Sequence, residues 1–384
     1  MSSYLKSIHL TFRTVSPVFI GSGRSVHKRE YLFNTRTGVI QFIDVDEMYK
    51  GMRKLHKEND FEQYLLGKTR DRDLYSFLKN RDIRPSVYEQ WIRQTCTVGD
   101  RSLNAHSIKE VQEFCKDPGG CPYIPGSSIK GMLRTVLETV WYLEHQDQAS
   151  DELKHIWEAP RESRNKYLKR NDQSLSKRAF HRDIFPDDAG RSVAGEIKND
   201  SLRGLIVGDS GPISLEDLCV CEKIDLNVHG VEKRENKVPL LRECIKPKVD
   251  FTVPITIDTR ICDLDVLRLL DTVRIFYRNY QKEIIRKFTN APKVHGNDTT
   301  LFLGGGSGYP SKTVTYGLTQ GEEAHRIASR VINATLPERA REEHGHDKDV
   351  EFGVSPHMLK CTRYHDKLYQ MGACCIVKYS SGDV

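Results

Sequence analysis

Across 384 residues, 38% hydrophobic and 29% charged, Lys and Arg outnumber Asp and Glu by 59 to 53, a net charge of +6. That length argues for two domains, and the charge is compatible with a polyanionic partner without identifying one. No apolar run reaches membrane-spanning length, the start MSSYLKSIHLTF lacks the regions of a signal peptide, and the 10 cysteines include no CxxC pair. These features argue against a transmembrane protein and a disulfide framework, and the expectation is a soluble cytoplasmic chain with reduced thiols.

Ile8, Leu10 and Phe12 alternate with His9, Thr11 and Arg13, the period of a half-buried strand that Pro17 ends. Val18-Phe19-Ile20 runs into Gly21-Ser22-Gly23, then Arg24, Lys28 and Arg29. This reads as a glycine turn whose amides, with cations behind them, can approach a phosphate closely. Tyr31–Phe33 and Val39–Ile43 form a predicted hairpin about Thr37-Gly38. From Val45 to Leu78 the period turns helical, with Met48, Tyr49, Met52, Leu55, Phe61, Tyr64 and Leu65 facing inward, whereas Val87–Val98 fits neither period. Cys115, Cys121 and His106 match no zinc spacing, and the thiols read as buried structural cysteines.

The loop Asp117–Cys121 delivers the chain to its longest amphipathic stretch, YIPGSSIKGMLRTVLETVWY, Tyr123–Tyr142. Pro125-Gly126 makes a turn, and Ser127 and Ser128 stand where an N-cap belongs. Ile129, Met132, Leu133, Val136, Leu137, Val140 and Trp141 then recur at helical spacing. Lys130 and Arg134 occupy another face, one turn apart. A cation in the first turn opposes the helix dipole unless an anion docks on the exposed amides there.

Glu144–Asp200 is polar, with KYLKRNDQSLSKRAFHRD (Lys166–Asp183) and PDDAGRS (Pro186–Ser192); too few apolar residues for a core predict a flexible insertion or finger. Beyond it, Leu202–Val207, Ile213–Ile224, Lys237–Cys244 and Lys248–Thr256 read as strands. A second long helix is predicted over Asp263–Phe288, its stripe Leu267, Leu270, Val273, Tyr277, Tyr280, Ile284 and Phe288. Leu301-Phe302-Leu303 leads into GGGSGYPSKT (Gly304–Thr313), followed by a helix over Glu322–Ala334, an acidic–basic loop at Arg339–Glu351 and an edge strand at Ala373–Lys378. Each half thus holds short strands, one long amphipathic helix and a glycine-rich loop. The pattern predicts a duplicated α+β architecture, with 1–200 carrying the 144–200 insertion and 201–384 carrying the 304–313 loop.

Two nucleotide-binding patterns fail. GSSIKGML from Gly126 has the P-loop glycine spacing without the closing Lys-Ser/Thr, and Lys312-Thr313 follows Ser311 rather than glycine. In GxGxxG terms, Tyr309 stands where the third glycine would be after Gly304 and Gly306. ATPase and dehydrogenase readings therefore lack support. What remains is a glycine cluster directly after an apolar strand, completed by Ser311, Lys312 and Thr313, a composition suited to a sugar–phosphate backbone.

SPVFIGSG (Ser16–Gly23), YIPGSSIKGMLRTVL (Tyr123–Leu137), VGDSGPI (Val207–Ile213), PLLRECIKP (Pro239–Pro247), LFLGGGSGYPSKT (Leu301–Thr313) and LYQMG (Leu368–Gly372) occur in this order. Together they resemble the RAMP superfamily of CRISPR proteins and, more narrowly, the fifth Csm-family subunit of type III-A effector complexes. The resemblance implies two ferredoxin-like (RRM-like) RAMP modules with inserted loops or fingers, docked on the adjacent backbone RAMP subunit and reaching along the guide–target duplex. It also implies crRNA contacts at Gly21, Ser22, Gly23, Ser127, Ser128, Lys130, Arg134, Gly304, Gly305, Gly306, Gly308 and Lys312, to which the basic flank adds Arg24. The function so implied is a non-catalytic subunit capping the 3′ part of crRNA, required for 3′-end maturation and complex assembly through recruited host 3′-trimming ribonucleases. No metal, cofactor or membrane is called for. The competing expectation is a metal-independent crRNA-processing endoribonuclease, with His9, His27 or His181 as acid or base. Asp209 reads as turn chemistry or a local cap.

Overall fold

The computed structural model describes residues 4–103, 110–158, 173–191, 197–234 and 240–381. The fold is α+β, and the described residues form three sheets. The first is antiparallel and five-stranded, in the spatial order Thr300–Phe302, Ala373–Ser381, Leu5–Thr14, Asp250–Asp258, Leu205–Val207. Its middle strand obeys the predicted alternation. Leu10 and Phe12 are fully buried, and Phe12 stacks on Phe251 at 5.3 Å. On the solvent side, Thr11 meets Thr252 at 2.9 Å and Arg13 forks onto Asp250 at 2.6 and 2.7 Å. A one-residue slip would put Leu10 and Phe12 in water, so both faces pin the register.

Strands from both sides of residue 200 share this sheet, and one apolar core runs through both expected halves. The chain's last strand is therefore not an edge strand as expected. Ala373–Ser381 pairs with Leu5–Thr14 on one side and Thr300–Phe302 on the other, because Ala373, Cys374 and Ile376 are apolar enough to be buried there.

The second sheet is mixed and seven-stranded, in the order Gly21–His27, Glu110–Phe114, Leu241–Ile245, Leu218–Glu222, Ile92–Val98, Val39–Ile43, Tyr31–Asn34. It contains the predicted hairpin and the second part of the ambiguous Val87–Val98 stretch, which is helical as far as Trp91 and a strand from Ile92. Buried Glu243 (1% exposed) lies within it, accepting from Phe114 N at 2.9 Å, Gln94 Nε2 at 2.5 Å and Lys116 Nζ at 2.8 Å. A carboxylate so deeply buried is tolerated because each partner donates to it. The third sheet joins Glu232–Arg234, Ile224–Asn227, Met358–Tyr364 and Lys367–Gln370.

The predicted helical stretch after Val45 resolves into Val45–Lys54, Glu58–Leu65 and Leu74–Asn80. Met48, Met52, Phe61, Tyr64, Phe77 and Trp91 form a second, separate core there. Leu55, expected inside, is 40% exposed, because the first of these helices ends before it.

The central helix spans Gly126–Glu144, with Ile129, Leu133, Val136 and Val140 buried. It packs against the second long helix, Val266–Glu283, and the short helix Thr315–Leu318. Contact with the latter needs Gly317, where a side chain would come within 2.4 Å of the Thr139 carbonyl oxygen. The second long helix is capped by Asp265 and buries Leu269, Leu270, Val273, Phe276 and Tyr280. Leu267, assigned to its stripe, is 60% exposed.

The 144–200 tract departs from expectation. Gln146–Glu158 and 173–180 are helical, and Ala149, Leu175, Ala179 and Phe180 join the main core. The tract supplies too few apolar residues for a core of its own, yet enough to cover one side of the central helix; Tyr142 Oη donates to the Leu175 carbonyl at 3.0 Å. The stretch 159–172, including the start of the basic run (166–172), lies outside the described residues. So does His106. Of the two thiols grouped with it, Cys115 is half-buried and Cys121 is exposed, because it sits on the Asp117–Cys121 turn rather than in the core.

Candidate nucleic-acid interface

Gly21–His27 forms the outer strand of the seven-stranded sheet, not a turn as expected. It pairs with Glu110–Phe114, but the register shifts between Gly21 and Ser25. Gly21, Ser22, Gly23 and Arg24 are all exposed within this bulge. Gly23 has φ +83° and nothing near its Cα side, so glycine serves its backbone conformation. Ser22 Oγ accepts from Arg24 N at 3.1 Å and so shapes the bulge.

The second glycine loop docks directly onto the residues before that strand. Gly305 N donates to the Phe19 carbonyl at 2.7 Å, and a side chain at Gly304 (φ +79°) would come within 2.0 Å of the same oxygen. Gly306 (φ +83°) leaves room for Arg242, whose guanidinium lies 5.3 Å over the Phe19 ring. Arg242 is held from behind by Gln112 Oε1 at 3.2 Å. Leu303 N donates to Gly372 O at 2.7 Å, and Gly372 N to Pro17 O at 2.9 Å. Four of the six sequence motifs thus meet in one place, although Pro17 and Gly372 lie 355 residues apart in the chain.

The patch they form is chemically suited to an anion. Gly306 and Gly308 are half-exposed, and their N–H groups have no acceptor among the described residues. Lys312 is exposed, with no carboxylate in ion-pair range among the described residues; partial desolvation pushes its amine down. Ser311 is instead buried and turned inward, donating to Ser307 O at 3.1 Å and to Gly308 O at 3.0 Å.

The other two motifs meet at the opposite edge of the five-stranded sheet. Val207 lies opposite Ile255, which lies opposite Ile8, whereas Phe302 lies opposite Ala373 at the far edge. Here the central helix begins after Pro125, and neither Ser127 nor Ser128 caps it. They fall inside the first turn, because the chain approaches through Pro125-Gly126 one residue earlier than the serines suggest. The cap comes from Asp209, 83 residues away, whose Oδ1 accepts from Gly126 N at 2.7 Å. A carboxylate of the chain itself therefore answers the helix dipole at the position where sequence reasoning placed a phosphate, and Asp209 is a remote cap, not a local one. Ile124 and Ser210 complete the join, with Ser210 N donating to Ile124 O at 3.0 Å and Ile124 N to Ser210 Oγ at 2.9 Å.

Along that helix, Ser127 is exposed, and Lys130 is half-buried, its amine pushed down by desolvation against the opposing pull of Asp200. Arg134 is committed internally. Nη1 donates to Asp200 Oδ2 at 2.9 Å, Nε and Nη2 donate to Ser176 Oγ at 3.0 and 2.8 Å, and the guanidinium lies 4.9 Å over Phe180. It ties the 173–200 segment to the central helix, which the sequence could not signal because Ser176, Phe180 and Asp200 fall in the stretch read as a finger. Arg242 and Phe19 were likewise unmarked as site residues; Arg242 sat inside a quoted motif, PLLRECIKP, which was the available signal.

The candidate histidines are scattered. His9 is exposed on the first strand, His27 closes the bulged edge strand 3.8 Å from Glu110, and His181 bridges to Asp200 through the backbone.

The RAMP superfamily profile matches residues 11–309, which takes in Gly21–Arg24, the central helix, Asp209, Arg242 and the Gly304–Gly308 loop, but not Lys312, the LYQMG segment or the helices and strands that follow the glycine loop. The chain belongs to the RAMP superfamily. This RAMP chain is 27% identical over 397 residues to "CRISPR system Cms protein Csm5" of Mycobacterium tuberculosis (strain ATCC 25618 / H37Rv), covering 97% of this chain and 98% of that protein. It is 26% identical over 407 residues to the protein of the same name from Enterococcus italicus, covering 97% of each. Among solved structures, it is similar in fold to a chain of a cryo-EM Csm-crRNA-target RNA ternary complex (TM-score 0.62, 19% identity, 96% of this chain and 100% of that chain). The crystal structure of T. onnurineus Csm5 is similar to the same degree (TM-score 0.60, 18% identity, 96% and 100%). No described helix is long and apolar enough to cross a membrane.

Proposed function

We propose that this chain is a non-catalytic, crRNA-binding subunit of a type III-A CRISPR (Csm) effector complex, built on two RAMP modules, where it caps the 3′ part of the guide. The observation that carries this reading is the convergence of the bulged Gly21–Arg24 strand, the Gly304–Gly308 loop and Lys312 into one exposed patch of amides and cations. Backbone amides and lysines position a sugar–phosphate chain without reading its sequence, which is what a subunit accommodating many different guides requires. Relatives named Csm5, and a fold neighbour solved with crRNA and target RNA, support the choice of partner. Within the same reading, the subunit docks on the adjacent backbone RAMP subunit and brings host 3′-trimming ribonucleases to the exposed guide end. Ser127 and Lys130, at the far edge of the sheet, form a second contact with RNA or with that neighbour.

The test is to assemble the complex with Arg24 and Lys312 both changed to Glu, then measure RNA content against salt and size the guide. Reduced retention, a shallower salt dependence and untrimmed 3′ ends are expected. Wild-type retention and trimming in a folded double variant would overturn the proposal. Incubating the purified subunit with guide precursor, with and without chelator, tests the nuclease alternative. Cleavage abolished by substituting His9, His27 or His181 would replace a binder with an enzyme.

A further inference from the structure

His344–His357 reads HGHDKDVEFGVSPH, and its first part, through Glu351, belongs to the stretch expected to be an acidic–basic loop. It folds instead around buried polar groups. The helix Glu338–His344 stops at Gly345 (φ 61°), and the short turn His346–Lys348 sends the chain back inside. There Asp349 is fully buried, and His357 and His346 are 7% and 8% exposed. One donor atom from each lies within 4.8 Å of the others. His346 Nδ1 is 3.1 Å from Asp349 Oδ2, and His357 Nδ1 lies against Asp349 Oδ1. Ser355 Oγ donates to Asp349 Oδ2 at 2.6 Å.

Two imidazoles converging on one buried carboxylate make a nitrogen–oxygen donor set. Two imidazoles disfavour calcium and magnesium, which take oxygen ligands, and suit zinc-class divalent ions. The Ser355 hydroxyl stands where an outer hydrogen bond would orient a ligating carboxylate. Without an ion, the same side chains can hydrogen-bond through Nδ1–H, so an experiment must separate the two states.

We propose that His346, Asp349 and His357 bind a zinc ion that braces this end of the fold. The surrounding contacts show what it would brace. Ser329 Oγ, on the helix Gly321–Thr335, donates to His346 O at 2.6 Å; Ser355 N donates to His325 Nδ1 at 3.2 Å; Tyr316 Oη donates to Ser355 O. Tyr316 belongs to the short helix packed on the central helix, immediately after the glycine loop. The ion would therefore stiffen the base of that loop without touching RNA, and this inference stands whether or not the RNA-binding proposal does.

The experiment uses the full chain, purified without a metal-affinity tag and dialysed against metal-free buffer. Elemental analysis should find about one zinc per chain. Exchange for cobalt should give visible bands of a four-coordinate nitrogen–oxygen site, with imidazole scattering in X-ray absorption. Asp349→Asn and His357→Gln should abolish stoichiometric binding, and Ser355→Ala should weaken it by roughly 10–100-fold while keeping the ligands. Should Asp349→Asn fail to fold, the wild-type stoichiometry and the Ser355→Ala affinity still decide. A wild-type chain with far less than one equivalent and no zinc-dependent rise in Tm overturns the proposal, as does unchanged affinity in Ser355→Ala together with unchanged metal content in His357→Gln.

Discussion

The docking of the glycine loop on Phe19 makes a quantitative prediction about two substitutions that look equivalent in sequence. Gly304 and Gly23 both have positive φ, at +79° and +83°, so alanine at either incurs a backbone penalty of about 1–2 kcal/mol. At Gly23 nothing else lies within 4 Å of the added carbon, whereas at Gly304 it would sit 2.0 Å from the Phe19 carbonyl oxygen. Relief requires the loop to lift, straining the 2.7 Å bond from Gly305 N to that oxygen and the packing behind it, which adds about 1–3 kcal/mol. Gly304→Ala should therefore cost about 2–5 kcal/mol and Gly23→Ala about 1–2 kcal/mol. An unfolding entropy of about 2.1 cal/mol/K per residue implies about 1.2 °C of Tm per kcal/mol for one cooperative transition of this length. Thermal unfolding should then place Gly304→Ala about 2–6 °C below wild type and Gly23→Ala about 1–2 °C below it. Equal shifts for the two variants, or a Gly304→Ala protein melting with the wild type, would refute the docking geometry.

Four further outcomes follow from the same structure. Arg134→Glu should lower stability by about 3–5 kcal/mol, since it leaves Asp200 facing a like charge; Lys130→Gln, which sets no second carboxylate against Asp200, should leave urea unfolding within about 0.5 kcal/mol of wild type while reducing RNA retention in the assembled complex. Asp209→Ala should remove the cap of the central helix and cost about 0.5–2 kcal/mol in urea unfolding. Asp71 gives a pH test. Burial pushes its carboxyl up, but hydrogen bonds from Asn80, Thr69 and Arg81 outweigh that and hold it below the usual 3.8. Its stabilisation is present above the unfolded value and lost as pH falls through the lower folded one, so the deficit of Asp71→Asn at pH 7 should shrink as the pH is taken down through and below 3.8.

The elements that could be read directly were those with a strong local signal. The strand at Ile8–Phe12, the hairpin about Gly38, the central helix and the Gly321–Thr335 helix follow from periodicity, which depends on neighbours a few residues away. The tail strand was placed correctly but put at an edge, because pairing partners lie hundreds of residues off and leave no trace in the strand itself. The 144–200 tract was misjudged for a related reason: Leu175, Ala179 and Phe180 are few, yet they need only complete another element's core.

For the candidate site, residue types were legible and their grouping was not. Glycines after an apolar strand announced tight backbone approach, and the motifs implied an anion. Which glycines touch, that Arg242 joins them, that Arg134 is spent on Asp200, and that Asp209 caps a helix 83 residues away are matters of long-range packing. The six motifs by themselves pointed to the family, and local periodicity to the long helices. Only the tertiary structure divided them into two separate groups, because sheet order and register, which no short window encodes, decide which distant loops share an edge.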